Sequence, residues 1–304
     1  MIKTIKTMSK QEKERYTVPR KVQDVIPVRR IWPDGIFLVG NKFSKTYKFS
    51  DINYLVASRE DKESMFLTYS ELLNSLDSGA VTKITINNRR MNQANFETSI
   101  LMPMQGDFRD EYRGEYNQML LDKATGANGI MQEKYITISV VKKDIEEARA
   151  YFSRVGADLI SHFAALGSKC VELDASERLR ILHDFYRQGE EAEFFFDLAA
   201  MAKRGHDFKD YICPDSIEKN SDYVKLGDKF CRVLFLKDYA SYIKDNMVTE
   251  LTDFNRNLMF SIDIVPVPTD EAVREVENRL LGVETNITNW QRRQNANNNF
   301  SAVV

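Results

Sequence analysis

The strongest constraint on the fold is a pattern that occurs twice, in which an alternating strand runs into a helix that starts with acidic residues. The first copy is "ITISVVKKDIEEARAYF" at 136–152, and the second is "FSIDIVPVPTDEAVREV" at 260–276. Alternation with a period of two predicts a half-buried strand, and apolar residues at helical spacing predict an amphipathic helix. Carboxylates in a first helical turn are stabilised by the positive end of the helix dipole. Both passages therefore predict strand–helix units.

The other segments complete an order in which strands alternate with helices. The turn Pro33-Asp34-Gly35 and the step Asn41-Lys42 predict a β-hairpin near the start. Further predicted elements are a helix at 65–76, a strand at 81–88, a polar helix at 107–123, a helix capped by Asp174 and Glu177, a helix at 190–205, a hairpin at 222–239 and a helix at 269–294. This order predicts an α+β (mixed α/β) fold, with helices packed on a largely antiparallel sheet. The two strand–helix units look like ferredoxin-like βαβ units.

Composition and charge indicate a globular chain with a basic start. Of the 304 residues 43% are hydrophobic, and runs such as "CRVLFL" are far shorter than the ~20 residues that span a bilayer. Residues 1–30 carry nine Lys or Arg against three acidic residues, whereas the whole chain has a net charge of −2. We therefore predict a flexible basic leader at 1–30, which is either solvated or in contact with an anionic membrane face or an acidic partner.

Motifs for catalysis are missing from the sequence. It contains no G-x-x-x-x-G-K-[ST], no G-x-G-x-x-G and no G-x-S-x-G. The three histidines, His162, His183 and His206, are dispersed and lack metal-ligand spacing. We predict no catalytic, cofactor-binding or metal-binding residue. One alternative stays open: a stand-alone hydrolase whose site assembles around His183 and Asp184.

Two groups of residues are candidates for binding. Trp32, with Arg29, Arg30 and Phe37 nearby, forms either a cap on the edge of the sheet or a partner-docking site, where Trp and Arg are enriched. In "KITINNRR", Arg89 and Arg90 could contact single-stranded nucleic acid from a sheet surface. The basic-plus-aromatic run of RNA-recognition sheets is missing, however, and the net acidic body disfavours phosphate binding.

Several ordered segments together resemble a known family. They are "PVRRIWPDGIFLVGNKFSKTYKFSDINYLVASRED", "YSELLNSLDSG", "KITINNRR", "KYITISVVKKDIEEARAYFSRV" and "RNLMFSIDIVPVPTDEAVREVENRL". In this order they resemble the N-terminal region of the conjugative type IV secretion ATPases, the CagE/TrbE/VirB family. More narrowly, they resemble the TraE-like members from integrative conjugative elements of Gram-positive bacteria. It extends over residues 25–304.

The resemblance implies a docking domain at 31–265, with a helical subregion at 174–215, and a C-terminal helix and linker at 266–304. The linker, with its ending "NWQRRQNANNNFSAVV", would lead to a RecA-like motor domain outside these 304 residues. ATP and Mg²⁺ would belong to that motor, so this part of the protein is expected to be non-catalytic. The expected partners are inner-membrane subunits of the secretion channel, the motor domain and a second copy of the chain. The expected location is the cytoplasmic face of the membrane.

Overall fold

The described part of the protein is a mixed α+β fold with helices on both faces of an antiparallel sheet. The computed structural model describes residues 19–54, 56–90, 101–126, 130–238, 242, 246–254 and 256–301. Within these residues the strands are β1 (Val28–Ile31), β2 (Phe37–Val39), β3 (Lys42–Phe49), β4 (Ala80–Arg90), β5 (Ile130–Val141), β6 (Cys170–Glu172), β7 (Ile217–Lys219), β8 (Val224–Leu226), β9 (Lys229–Cys231) and β10 (Leu258–Ile264). The helices are α1 (Val22–Val25), α2 (Arg59–Asn74), α3 (Asp110–Gly126), α4 (Ile145–Ala165), α5 (Ala175–Tyr186), α6 (Leu198–Arg204), α7 (Met247–Thr252) and α8 (Thr269–Ser301).

The main sheet has seven strands, in the order β1-β2-β3-β5-β4-β10, with β6 paired to the second half of β3. Every strand pair is antiparallel. The spatial order β6-β3-β5-β4, connected along the chain as β3-α2-β4 and β5-α4-β6, is the ferredoxin-like split βαβ arrangement. The predicted fold class, a largely antiparallel sheet with packed helices, is therefore confirmed.

The two predicted strand–helix units have different places in this sheet. The unit β5-α4 belongs to the ferredoxin-like core, because β6 follows α4 and returns beside β3. The second unit does not, because β10 is an added strand that pairs with β4 on the side away from β5. The other half of the ferredoxin-like core is β3-α2-β4. A second, separate sheet is formed by β7, β8 and β9.

The larger hydrophobic core lies between one face of the sheet and helices α2 and α4. Tyr47, Ile136 and Ile138 point into it from β3 and β5, and Phe152 packs on them from α4. These four side chains are at most 1% exposed. Burying a large apolar side chain stabilises a fold by about 1.5–3 kcal/mol, so this layer holds the helices on the sheet.

A second core lies on the opposite face, under α5. Phe37 of β2 and Leu179 of α5 meet there with Ile212, and all three are at most 2% exposed. Because side chains alternate along a strand, Ile36 belongs to the first core and its neighbour Phe37 to the second. Ile26 and Val28 are also buried in the second core, with Val22 packed against it, so the predicted basic leader is anchored to the domain at 22–28. Residues 1–18 lie outside the described part of the chain.

Local sequence signals explain most element boundaries. Asp174 and Glu177 form the predicted capping box at the start of α5. The helix predicted at 190–205 is instead a 3₁₀ turn at Glu191–Glu193 followed by α6. It is interrupted because Asp197 accepts hydrogen bonds from the amides of Ala199 and Ala200, which starts a new helix, and because Phe194 and Phe196 pack on the second core. Helix α8 runs through the Asn run to Ser301.

Candidate functional site

A network of buried and half-buried charged side chains lies on the sheet face next to α5. Arg89, at the end of β4, donates one hydrogen bond to Asp184 of α5 and another to Glu133 Oε2 of β5, at 2.7 Å. The side chain of Asp184 is 1% exposed, that of Glu133 13% and that of Arg89 23%. Ion pairs this far from water lose little strength to screening, although removing the charges from water is costly.

Two further groups complete the hydrogen bonding of Glu133. Lys48 Nζ donates to Glu133 Oε1 at 2.6 Å, and the Tyr135 hydroxyl donates to Oε2 at 2.8 Å. Burial would raise the pKa of Glu133, but the hydrogen bonds from Lys48 and Tyr135 and the charge of Arg89 outweigh it, so that the pKa lies below its ordinary value. Burial and the neighbouring Glu133 carboxylate together raise the pKa of the Tyr135 hydroxyl.

His183 lies beside this network. Its side chain is 4% exposed, its Nδ1 is 3.2 Å from Asp184 Oδ1, and its ring is 4.9 Å from the ring of Phe194. The fold thus brings together residues from two separate hypotheses. His183 and Asp184 were candidates for a hydrolase site, and Arg89 was a candidate for nucleic-acid binding. The network links β3, β4, β5 and α5, and its two basic and two acidic members balance in charge.

Sequence reasoning missed Glu133, Lys48 and Tyr135 as members of the network. Glu133 and Tyr135 are two residues apart on β5, so they share a face, and Tyr135 lies opposite Lys48 in the β3–β5 register. The alternation of side chains along β5 could have shown that Glu133 and Tyr135 share a face. The strand register that places Lys48 in the network, and the helix packing that places Asp184 there, depend on contacts between distant segments.

The two residues proposed for nucleic-acid contact have different outcomes. The guanidinium of Arg89 is occupied by Asp184 and Glu133, so contact with a phosphate would require breaking these ion pairs. Its Nε atom is buried and has no hydrogen-bond partner among the described residues. Arg90 is the last residue of β4, and its side chain lies outside what the structure describes.

The four residues proposed for partner docking are divided between surface and core. Arg29 and Arg30 are exposed. Trp32 is half-buried, with its ring 5.7 Å from the ring of Phe43, as expected for a cap on the core at the edge of the sheet. Phe37 is only 2% exposed, and the guanidinium of Arg178 lies 4.0 Å from its ring centre. Phe37 is thereby corrected to a core residue, because alternation along β2 turns it toward α5.

An exposed apolar segment follows β9, within the region predicted as a hairpin. Val233, Leu234 and Phe235 are 79%, 82% and 82% exposed, and residues 232–237 have no regular secondary structure. The hairpin strands themselves end at Cys231. Contiguous exposed apolar side chains are typical of protein–protein or membrane contact sites.

Comparisons with known proteins add no family assignment. No protein-family model matches the chain, and a search of curated proteins finds no match. Among the described residues, no group of three or more His, Cys, Asp or Glu side chains is arranged to hold a metal ion. None of the described helices combines the length and the apolar character needed to cross a membrane.

Proposed function

We propose that these residues are the N-terminal docking and scaffolding domain of a conjugative type IV secretion ATPase. The domain would hold the motor against inner-membrane subunits of the DNA-transfer channel, at the cytoplasmic face of the membrane. ATP hydrolysis would belong to a motor domain outside these 304 residues, together with its Mg²⁺.

The observation that supports this proposal most is where the five segments that resemble the family lie in the fold. They coincide with β1 to β3, the end of α2, β4, the pair β5-α4 and the pair β10-α8. All of these strands belong to the main sheet, and α2 and α4 pack on it. The resemblance thus follows the structural framework of the domain, whereas matches confined to loops would carry less weight.

The charged network around Glu133 and Asp184 supports a scaffolding role over an enzymatic one. Asp184 and His183 are both nearly inaccessible, and the charges of Arg89 and Glu133 are neutralised within the network. A general base needs to reach the substrate proton within hydrogen-bond distance. The arrangement instead connects four elements, as expected for a rigid support.

Two exposed features are available for docking. Arg29 and Arg30 project basic charge from β1, which suits an acidic partner surface. The apolar segment at Val233, Leu234 and Phe235 offers side chains that a partner could bury. Neither feature has a role in the cores of this domain.

The proposal is tested by measuring binding of the 304-residue chain to purified inner-membrane channel subunits of the same conjugative element. We expect Phe235→Asp to weaken binding at least about tenfold, because an apolar contact is replaced by a charge. Phe108→Asp is the matched control, since Phe108 is also 82% exposed but lies near the start of α3. The proposal fails if the wild-type chain does not bind these subunits, or if it hydrolyses ATP at a robust rate.

The two alternatives remain measurable with the same protein. A single-stranded nucleic-acid binder would show strong binding with a steep salt dependence. A hydrolase centred on His183 would lose metal binding in His183→Ala. Among the described residues neither alternative gains a supporting contact, because Arg89 and His183 are engaged inside the network.

A further inference from the structure

Helix α8 exposes an apolar seam with the spacing of a coiled coil. Its members are separated by three and four residues in strict alternation: Val273, Val276, Leu280, Val283, Ile287 and Trp290. Each is at least half exposed, with values from 51% to 65%. In a heptad labelled a to g, these side chains fill consecutive a and d positions, which form the seam that packs against a partner helix.

The composition of α8 indicates that the helix needs such a partner. From residue 269 to 292, every described side chain is exposed except that of Ala272, which is half-buried. The middle of the helix contains Gly282, Thr285, Asn286, Thr288 and Asn289, all of which have weak helix propensity. Helical stability in proteins comes mostly from packing of an apolar face, and no described element covers this one.

The charges that flank the seam are complementary between two parallel copies of this helix. Taking Val273 as position a, the e positions are Asp270, Glu277, Glu284 and Gln291, and the g positions along the seam are Ala272, Arg279 and Asn286. In a parallel pair of helices, a g residue faces the e residue of the following heptad on the other helix. Arg279 of each copy then faces Glu284 of the other. An antiparallel pair would place e opposite e, and so bring Glu277 toward Glu284 with like charges.

We propose that α8 associates with the α8 of a second copy of this chain, as a parallel, in-register coiled coil. The six seam residues of each copy are buried, and Arg279 forms an ion pair with Glu284 of the second copy. In the single chain, Arg279 Nη2 pairs with Glu275 at 2.6 Å, where both side chains are largely exposed. Such an exposed pair contributes little stability and is readily exchanged.

The length of the seam sets the strength of association. From Val273 to Trp290 the helix rises about 26 Å, or two and a half heptads. A coiled coil this short associates reversibly, so the fraction of dimer rises with protein concentration. This inference does not rest on the proposed function, since a docking domain can act as a monomer.

Sedimentation of the full 304-residue chain over a range of concentrations tests the proposal. Leu280→Glu removes a seam residue, and we expect it to raise the dissociation constant at least about 100-fold, because each dimer loses two buried leucines. Leu281→Glu is the matched control. Its side chain is 59% exposed, against 57% for Leu280, but it lies at position b, outside the seam. The control is expected to associate like the wild type.

A charge exchange tests the orientation. In the parallel arrangement Arg279→Glu and Glu284→Arg each weaken association, and the double variant restores it. In the antiparallel arrangement Glu284→Arg would strengthen association, which would overturn the proposed orientation. A wild-type chain that stays monomeric at its highest soluble concentration would overturn the proposal, even if α8 bound another protein. Equal effects of Leu280→Glu and Leu281→Glu would overturn it as well. Thermal unfolding of each variant verifies that the sheet domain is intact.

Discussion

Gly35 offers the sharpest test of how the sheet and α5 are joined. It lies in the turn between β1 and β2 with φ +76°, in the left-handed region that glycine adopts without strain. A Cβ atom added there would overlap the carbonyl oxygen of Leu173 and lie 3.0 Å from its carbonyl carbon. Both obstacles are backbone atoms, which cannot rotate away as a side-chain tip can.

The cost of Gly35→Ala has two parts. The left-handed conformation costs a non-glycine residue about 1–2 kcal/mol. The overlap adds about 1–3 kcal/mol, the usual cost of overpacking. The segment is held in place because the Leu173 amide donates to the Thr46 carbonyl at 3.1 Å, and Arg178 donates to the Gly35 carbonyl at 2.6 Å. We therefore expect the free energy of unfolding to fall by about 2–5 kcal/mol, the sum of the two costs.

Gly40→Ala is the matched control, to be measured by urea unfolding beside Gly35→Ala. Gly40 has φ +61°, but no atom lies within 4 Å of the position of its added Cβ. Only the conformational cost of about 1–2 kcal/mol is expected there. Equal losses in the two variants would refute the close packing of Gly35 on Leu173 as a determinant of stability.

Two further substitutions test the network and the first core. Because the pKa of Glu133 is lowered in the folded protein, its stabilising effect is present above the unfolded pKa and is lost as the pH falls through the folded pKa. Glu133→Gln should therefore have a lower free energy of unfolding than the wild type at neutral pH. Urea unfolding should show that this difference in free energy becomes smaller in acid. A difference that does not change with pH would contradict the prediction. Gly156→Ala places a Cβ 2.7 Å from the Tyr47 hydroxyl, so despite better helix propensity we expect a net loss of about 1–2 kcal/mol. In a double-mutant cycle, Tyr47→Phe should relieve part of that loss, whereas strict additivity would argue against the contact.

Local signals in the sequence were sufficient for most elements of the fold. The hairpin of β2 and β3, the helix α4 and the capping box of α5 all follow from turn residues, spacing and caps within a few residues. The interrupted helix at 190–205 is one exception, because the cap at Asp197 and the packing of Phe194 and Phe196 on the second core outweigh helical spacing.

The candidate site was predictable only in pieces. Arg89 and the pair His183–Asp184 stood out as separate candidates, yet Arg89 and Asp184 are 95 residues apart in sequence and meet only in the fold. Likewise, Trp32 and Phe37 were both proposed for docking, and only the packing of α5 shows that Phe37 is buried. A strand's period of two groups residues by face, but it does not show which face another element covers.

The sequence by itself determined the kinds of elements and their order, because turns, caps and periodicity act over a few residues. The tertiary structure decided the strand order β6-β3-β5-β4, the second core and the ion network, because these depend on pairing between segments far apart in the chain. Helix α8 depends on both. The sequence alone gives the heptad spacing of its apolar residues, but only the structure shows that no other described element covers the seam.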